Sequence, residues 1–137
     1  MTIALELTDA GDQSHWEAVA VGLRAFNQPF AGVKDQRPLA VLIRREGQIV
    51  GGLWGHTAFG WLFVELLFSP ADLRGGMGTR LMDMAEDEAR RRGCRHAWLD
   101  TYSFQARGFY EKRGYQVFGQ LDDYPPGHVR YFLRRDL

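Results

Sequence analysis

Residues 61–92 read WLFVELLFSPADLRGGMGTRLMDMAEDEARRR, which is a strand, a glycine turn and a helix in one run. Trp61 to Phe68 is apolar at every position but Glu65 and stops at Ser69-Pro70, the pattern of a central strand covered on both faces. Beyond the turn, Leu81, Met82, Ala85 and Ala89 recur at helical spacing as far as Arg92, and Gly93 is placed to stop the helix. The opposite face pairs Glu86/Arg90, Asp87/Arg91 and Glu88/Arg92, acid before base at i,i+4, with the bases crowded where the helix dipole favours them. Between strand and helix, Gly75, Gly76 and Gly78 let the backbone turn sharply and approach a ligand. The free N–H groups of the helix start favour an anion such as a pyrophosphate, with Arg74 and Arg80 adding charge. No Gly-Lys-Ser/Thr of a P-loop and no G-x-G-x-x-G with a matching later acid is present, which argues against a nucleoside triphosphatase or a dinucleotide dehydrogenase.

Upstream, Ile3, Leu5 and Leu7 alternate with Ala4, Glu6 and Thr8 and predict a short first strand. Asp12 to Ser14 can cap a helix in which Trp16, Val19, Ala20, Leu23 and Phe26 share a face, lost at Asn27, Pro29 and Gly32. A strand over Leu39 to Arg44, a Glu46-Gly47 turn and a strand from Ile49 read as a hairpin, weakened by Gly51, Gly52, Gly55 and Gly60. Downstream, the pattern predicts a strand at Ala97 to Asp100 and a helix from Gln105 to Lys112, stopped at Gly114. Strands at Tyr115 to Leu121 and Arg130 to Leu133 follow, joined through the Tyr124-Pro125-Pro126-Gly127 turn. The order β-α-β-β-β-α-β-α-β-β, without repeat or linker, predicts one α/β domain over residues 1–137, a central mixed sheet flanked by helices.

Composition narrows the function classes. At 45% apolar and 25% charged residues the chain has an ordinary globular make-up, and 137 residues suffice to bury about two-thirds of the unfolded surface. Seventeen basic residues balance seventeen acidic ones, so no global field draws the chain to nucleic acid or an anionic membrane, and no local basic stripe is present. The lone Cys94 excludes an internal disulfide and a multi-cysteine metal site. His15, His56, His96 and His128 are scattered, so no metal is expected. With no basic-then-apolar leader at the N-terminus, the reading is a cytoplasmic, soluble protein.

A longer set of motifs is more specific. Pro70-x-x-x-Arg74-Gly75 runs into Gly76-Met77-Gly78 after an apolar strand. Leu99-Asp100-Thr101 follows, and then Phe104-Gln105-Ala106-Arg107-x-Phe109-Tyr110-Glu111-Lys112-x-Gly114-Tyr115, with Asp123 to His128 reading Asp-Tyr-Pro-Pro-Gly-His. Together these resemble the GNAT superfamily of acyl-CoA-dependent N-acetyltransferases, in particular its small single-domain members, over almost the whole chain. The resemblance implies acetyl-CoA as co-substrate and direct transfer of the acetyl group to a primary amine, of a small molecule, in a ternary complex. It implies that a bulged central strand offers the backbone of Leu66, Leu67 and Phe68 to the acyl carbonyl and pantetheine arm, and that Arg74, Gly75, Gly76, Met77, Gly78 and Thr79 cradle the pyrophosphate. It also implies that Tyr110 lies near the CoA sulfur and acts as the acid, a phenol of pKa about 10 beside a thiolate near 8.5. One departure stands out: the family loop opens with Arg or Gln three residues before its first glycine, where this chain has Leu73, with Arg74 one place late.

The proton from the amine needs an acceptor, and three are available. Glu65 is a carboxylate inside an apolar run, where burial would raise its pKa towards a useful value. Asp100 is the alternative, though it can instead cap the following turn through Thr101 and Ser103, and water is the third. His128 and His56 can line the acceptor pocket or sit in solvent, and Cys94 reads as a small apolar residue. Trp54, Trp61, Tyr124 and Tyr131 could wall the acceptor site or belong to the core. With Asp122 or Asp123 beside them they would favour a cationic amine. The resemblance also suggests pairing of two protomers through the last strands. The other readings are a non-catalytic acyl-CoA-binding module and an acetyltransferase of protein amines.

Overall fold

The computed structural model describes the whole chain, Met1–Leu137. Its contacts divide it into two compact units, Met1–Lys34 and Asp35–Leu137.

The first unit is a single helix, α1 (Gln13–Ala31), with an extended lead-in. Asp12 caps it: one carboxylate oxygen accepts the N–H groups of Ser14 at 2.9 Å and His15 at 3.2 Å, while His15 Nδ1 accepts the Asp12 N–H at 3.0 Å. Two expectations need correction here. The helix continues past Asn27 because Pro29 falls in its last turns, where fixed φ suits a helix and only one donor is lost. It stops at Gly32, whose φ of 71° reverses the chain. Nor is a strand formed over Ile3–Leu7: alternation alone cannot make one when no neighbouring strand receives its N–H and C=O groups.

The second unit is a six-stranded mixed sheet with two helices. It comprises β1 (Arg37–Arg45), β2 (Gln48–Ala58), β3 (Trp61–Phe68), α2 (Met77–Arg91), β4 (His96–Tyr102), α3 (Arg107–Lys112), β5 (Gln116–Asp122) and β6 (Val129–Asp136). The spatial order is β1-β2-β3-β4-β6-β5, antiparallel except for the parallel pair β3–β4. Alternation assigns each strand residue to a face. Leu39, Ile43, Leu53, Leu62, Val64, Ala97, Leu99 and Leu133 are buried on one face, packed with Leu81, Met82, Ala85 and Ala89 of α2 and Tyr110 of α3. The other face carries Leu42, Trp54, Phe63, Trp98, Tyr102 and Phe132.

The glycines that weaken β2 as a sequence pattern are demanded by its packing. A Cβ on Gly55 would lie 2.1 Å from the Phe63 carbonyl oxygen, so only glycine lets the two backbones approach. The charged face of α2 also differs from expectation. Glu88 and Arg92 pair as predicted at 2.8 Å, but Arg90 turns to Asp87 at 2.9 Å and Arg91 to Glu88 at 3.0 Å. Glu86 is not on the solvated face at all. It is 2% exposed and accepts from Arg113 at 2.7 Å, from the Tyr115 hydroxyl at 2.7 Å and from Arg135 at 3.4 Å. A carboxylate can occupy the interior because these donors compensate its desolvation.

Candidate active site

The parallel pairing of β3 with β4 runs from Trp61↔His96 to Val64↔Leu99 and then ends. On its other side β3 stays paired with β2 through Phe68, but the register slips between Trp54↔Leu66 and Gly55↔Val64. Glu65 is the extra residue of that slip, a β-bulge that bends β3 away from β4. The two strands therefore splay into a cleft. One wall is the backbone edge of Leu66, Leu67 and Phe68, which has no ladder partner on that side; the other is the end of β4 at Asp100 to Tyr102.

At the outer end of the β3 wall the chain makes a 3-10 turn, Ala71–Leu73, and reverses through Gly76 at φ 88° into α2. Glycine is required here because a side chain is strained at that angle. The Gly76 N–H donates to the Arg74 carbonyl at 2.8 Å, so it does not belong with the free donors as expected. Those begin at Met77 and include Gly78 and Thr79. No side chain caps them, and the first turn holds no acidic residue. The start of a 15-residue helix thus presents unpaired N–H groups and the positive end of its dipole. Gly78 has a different reason from ligand approach: a Cβ there would sit 3.2 Å from the Phe109 ring, so its absence lets α3 pack against α2. Gly75 has open space around it. Arg74 donates through Nε to the Ser69 carbonyl at 3.0 Å, which braces the loop and leaves its terminal nitrogens without a protein partner.

Tyr110, on α3, is 6% exposed. Burial, with a smaller contribution from the nearby Asp100 charge, pushes its phenol up to about 12. Rings of Phe109 at 5.1 Å and Tyr115 at 6.0 Å hold it edge-on. Asp100 itself grips Arg130 with both oxygens, 3.1 Å to Nε and 3.1 Å to a terminal nitrogen, a two-point ion pair that fixes the carboxylate's orientation. The turn after it is capped by Gln105, whose Oε1 accepts from Thr101 Oγ1 and from the Tyr102 N–H, both at 3.1 Å. Glu65 is exposed, because the bulge turns it out of the apolar run; the burial expected of it is absent.

Three rings that sequence reasoning mostly missed stand at the β4 end of the cleft. Tyr102 stacks nearly parallel on Phe104 at 5.2 Å and on Tyr124 at 6.3 Å, and the Arg130 guanidinium lies 5.7 Å from Tyr102, 5.2 Å from Tyr124 and 5.1 Å from Phe132. Of these only Tyr124 is among the residues the sequence offers as acceptor wall or core; the Tyr102-x-Phe104 spacing at a strand end is the signal for the other two. The remaining aromatic candidates are used elsewhere: Trp61 stacks on His96, Tyr131 meets Arg107 at 4.5 Å, and Trp54 lies exposed on the helix-free face of β2. His128 bridges to Ser103 Oγ at 3.3 Å and His56 packs beside Phe63. Asp123 accepts from the Gly127 N–H, which occupies it in the turn. Cys94 is buried and its thiol is pushed up by that burial, as befits a packing residue. No three His, Cys, Asp or Glu side chains are grouped to hold a metal, and no helix is long and apolar enough to cross a membrane.

The model of the Acetyltransferase (GNAT) family matches residues 5–115. Acetyltransferase Atu2258 of Agrobacterium fabrum is 42% identical over 131 residues, covering 94% of this chain and 96% of the relative. Blasticidin-S acetyltransferase of Streptomyces morookaense is 40% identical over 111 residues, 77% of this chain and 82% of that protein. A crystal structure of an acetyltransferase from Bacillus cereus superposes with a TM-score of 0.85 at 30% identity, over 96% of this chain and 98% of the other.

Proposed function

Because the chain belongs to the GNAT family of acetyltransferases, we propose that it moves an acetyl group from acetyl-CoA to the primary amine of a small molecule. The observation that carries this reading is the juxtaposition of an uncapped helix start, at Met77 to Thr79, with an unpaired strand edge, at Leu66 to Phe68. A pyrophosphate suits the first and an amide-bearing pantetheine arm suits the second. Gly75 and Gly76 keep the turn open and Arg74 adds charge there. Residues 1–137 act as one acetyltransferase domain, and a second copy of the chain is its structural partner. A single reduced cysteine suits a cytoplasmic setting.

In the reaction the amine nitrogen bonds to the thioester carbonyl carbon, and the carbon–sulfur bond breaks. The free edge of β3 at Leu66–Leu67 supplies one cleft-facing N–H to the oxyanion that forms between these events, since successive N–H groups of a strand point to opposite sides. Tyr110 faces the leaving sulfur. A phenol near 12 beside a thiolate near 8.5 makes full proton transfer uphill by about 5 kcal/mol, so its role is to donate a hydrogen bond to the departing thiolate rather than to surrender its proton. Glu65, exposed at the bulge, takes the amine proton through water. Asp100 is the less favoured base, because taking the proton there would weaken its two-point pair with Arg130.

The acceptor enters from the other end of the cleft, against Tyr102, Phe104 and Tyr124. The blasticidin-S acetyltransferase relative supports a small-molecule acceptor. The test is thiol release from acetyl-CoA across a panel of small amines and amine-bearing antibiotics, with a lysine peptide as control. Release with small amines and none with the peptide is expected. Release with the peptide alone would redirect the assignment to protein amines.

A further inference from the structure

Within the second unit a groove of about 570 Å³ runs between α2 and α3, with Thr79, in the first turn of α2, among its lining residues. Four basic side chains line it, Arg90, Lys112, Arg113 and Arg135, against two acidic ones, Asp83 and Glu86. Three of the four bases are held by carboxylates. Arg113 donates to Asp83 at 3.0 Å and to Glu86 at 2.7 Å, Arg135 donates to Glu86 at 3.4 Å, and Arg90 turns to Asp87 at 2.9 Å. Both acids of the groove are thereby engaged, and Lys112, the last residue of α3, has no carboxylate or carbonyl partner within the unit. Its position relative to the helix start follows from packing. A Cβ on Gly78 would sit 3.2 Å from the Phe109 ring, and Lys112 follows Phe109 by three positions, on the same side of α3. The unpaired ammonium therefore stands one helical turn from the contact that joins α3 to the first turn of α2.

Given the acetyl-CoA reading, on which this rests, we propose that Lys112 binds the 3′-phosphate of the coenzyme's ribose, the charged group that lies beyond the pyrophosphate. The pantetheine arm takes the β3 edge and the pyrophosphate takes the N–H groups of Met77 to Thr79. The nucleotide end must then leave the helix start by another side, and the groove lined by Thr79 adjoins it there. Charge agrees with this route. A phosphate monoester carries about −1.5 to −2 at neutral pH, and the groove holds two more bases than acids. A cleft whose unneutralised charge has one sign concentrates the opposite sign within it. Lys112 supplies the kind of contact required: a compact ammonium with three donors, on a flexible stem, suits a phosphate as a point charge. The paired arginines shape the groove, and Lys112 selects the coenzyme that bears the phosphate.

Calorimetric titration of the full chain with CoA and with 3′-dephospho-CoA tests Lys112 separately from the coenzyme reading. The wild type is expected to bind CoA about tenfold tighter, or about 1.4 kcal/mol. Lys112→Gln is expected to remove that preference, weakening CoA about tenfold and leaving 3′-dephospho-CoA unchanged. Lys112→Arg keeps the charge and is expected to keep most of the preference. Arg44→Gln, on edge strand β1, removes an equal charge outside the groove and is expected to alter neither affinity. Equal binding of the two ligands by the wild type, or a preference that survives in Lys112→Gln, would overturn the role of Lys112 while the coenzyme reading stands. A loss of preference in Arg44→Gln as large as that in Lys112→Gln would overturn it too, by assigning the effect to net charge. Binding of neither ligand by the wild type would overturn both.

Discussion

Burial on α3 decides what the Tyr110 hydroxyl can do in the proposed reaction. Held near 12 by burial, its phenol stays protonated through pH 10, so it cannot limit turnover on the alkaline side of neutrality. Tyr110→Phe is expected to lower kcat about 100-fold while leaving the KM for acetyl-CoA within a factor of about three, with the shape of the pH profile unchanged. Steady-state kinetics between pH 6 and 10 check this, and an unchanged kcat would remove Tyr110 from the chemistry. Glu65→Gln is expected to lower kcat/KM about tenfold with the KM for acetyl-CoA little changed; an unchanged kcat/KM would leave water alone to carry the amine proton away. Glu86 makes a prediction about stability. Replacing it with Gln leaves Arg113 and Arg135 with a neutral partner in the interior and is expected to cost about 3 kcal/mol in denaturant titration. The buried phenols give a pH signature as well. Above pH 10 they ionise in the unfolded chain, while in the folded chain burial, and for Tyr115 also the Glu86 charge, holds them protonated. Stability therefore falls as pH rises from 10 towards 12 and is unaffected by these groups below 10.

The elements on either side of the glycine turn were legible from their own residues. The apolar run ending at Ser69-Pro70 was legible as a strand inside the sheet but not as to its faces: cover on both was expected, whereas only the side of Leu62 and Val64 is buried and Leu66 and Phe68 are 62% and 57% exposed on the other, while Leu81, Met82, Ala85 and Ala89 fixed the buried face of the next helix. What local pattern could not reveal was anything decided by a distant partner. The inward turn of Glu86 depends on Arg113, Tyr115 and Arg135, 27 to 49 positions away. Glu65 faces outward because β2 and β3 slip register by one residue, and Gly55 is needed because Phe63 crosses it closely. The helix start itself yields a prediction. Gly75 has open space for a side chain, so Gly75→Asp should fold normally, with a carboxylate near the dipole adding a few tenths of a kcal/mol. The same charge opposes a pyrophosphate, and the KM for acetyl-CoA is expected to rise at least about tenfold. A raised Tm together with a raised KM is the signature of anion binding at α2; an unchanged KM would place the pyrophosphate elsewhere.

At the scale of the molecule, the cleft exists because a parallel pair, β3 and β4, stops at Val64↔Leu99 within a sheet whose other neighbours remain antiparallel. The sequence motifs pointed to both walls but not to the ring stack of Tyr102, Phe104 and Tyr124, which assembles from β4, the turn after it and the loop before β6. Nor could alternation at Ile3–Leu7 say whether a partner strand would be available. In the proposed reaction one wall takes the pantetheine arm while the helix start takes the pyrophosphate. Calorimetric titration of the ligand-free protein with acetyl-CoA, run beside the Gly75→Asp variant, tests both at once. Micromolar binding at one molecule per chain, about −8 kcal/mol, is expected, weakened at least tenfold in the variant. Absence of binding at millimolar acetyl-CoA, or equal affinity in both proteins, would contradict it.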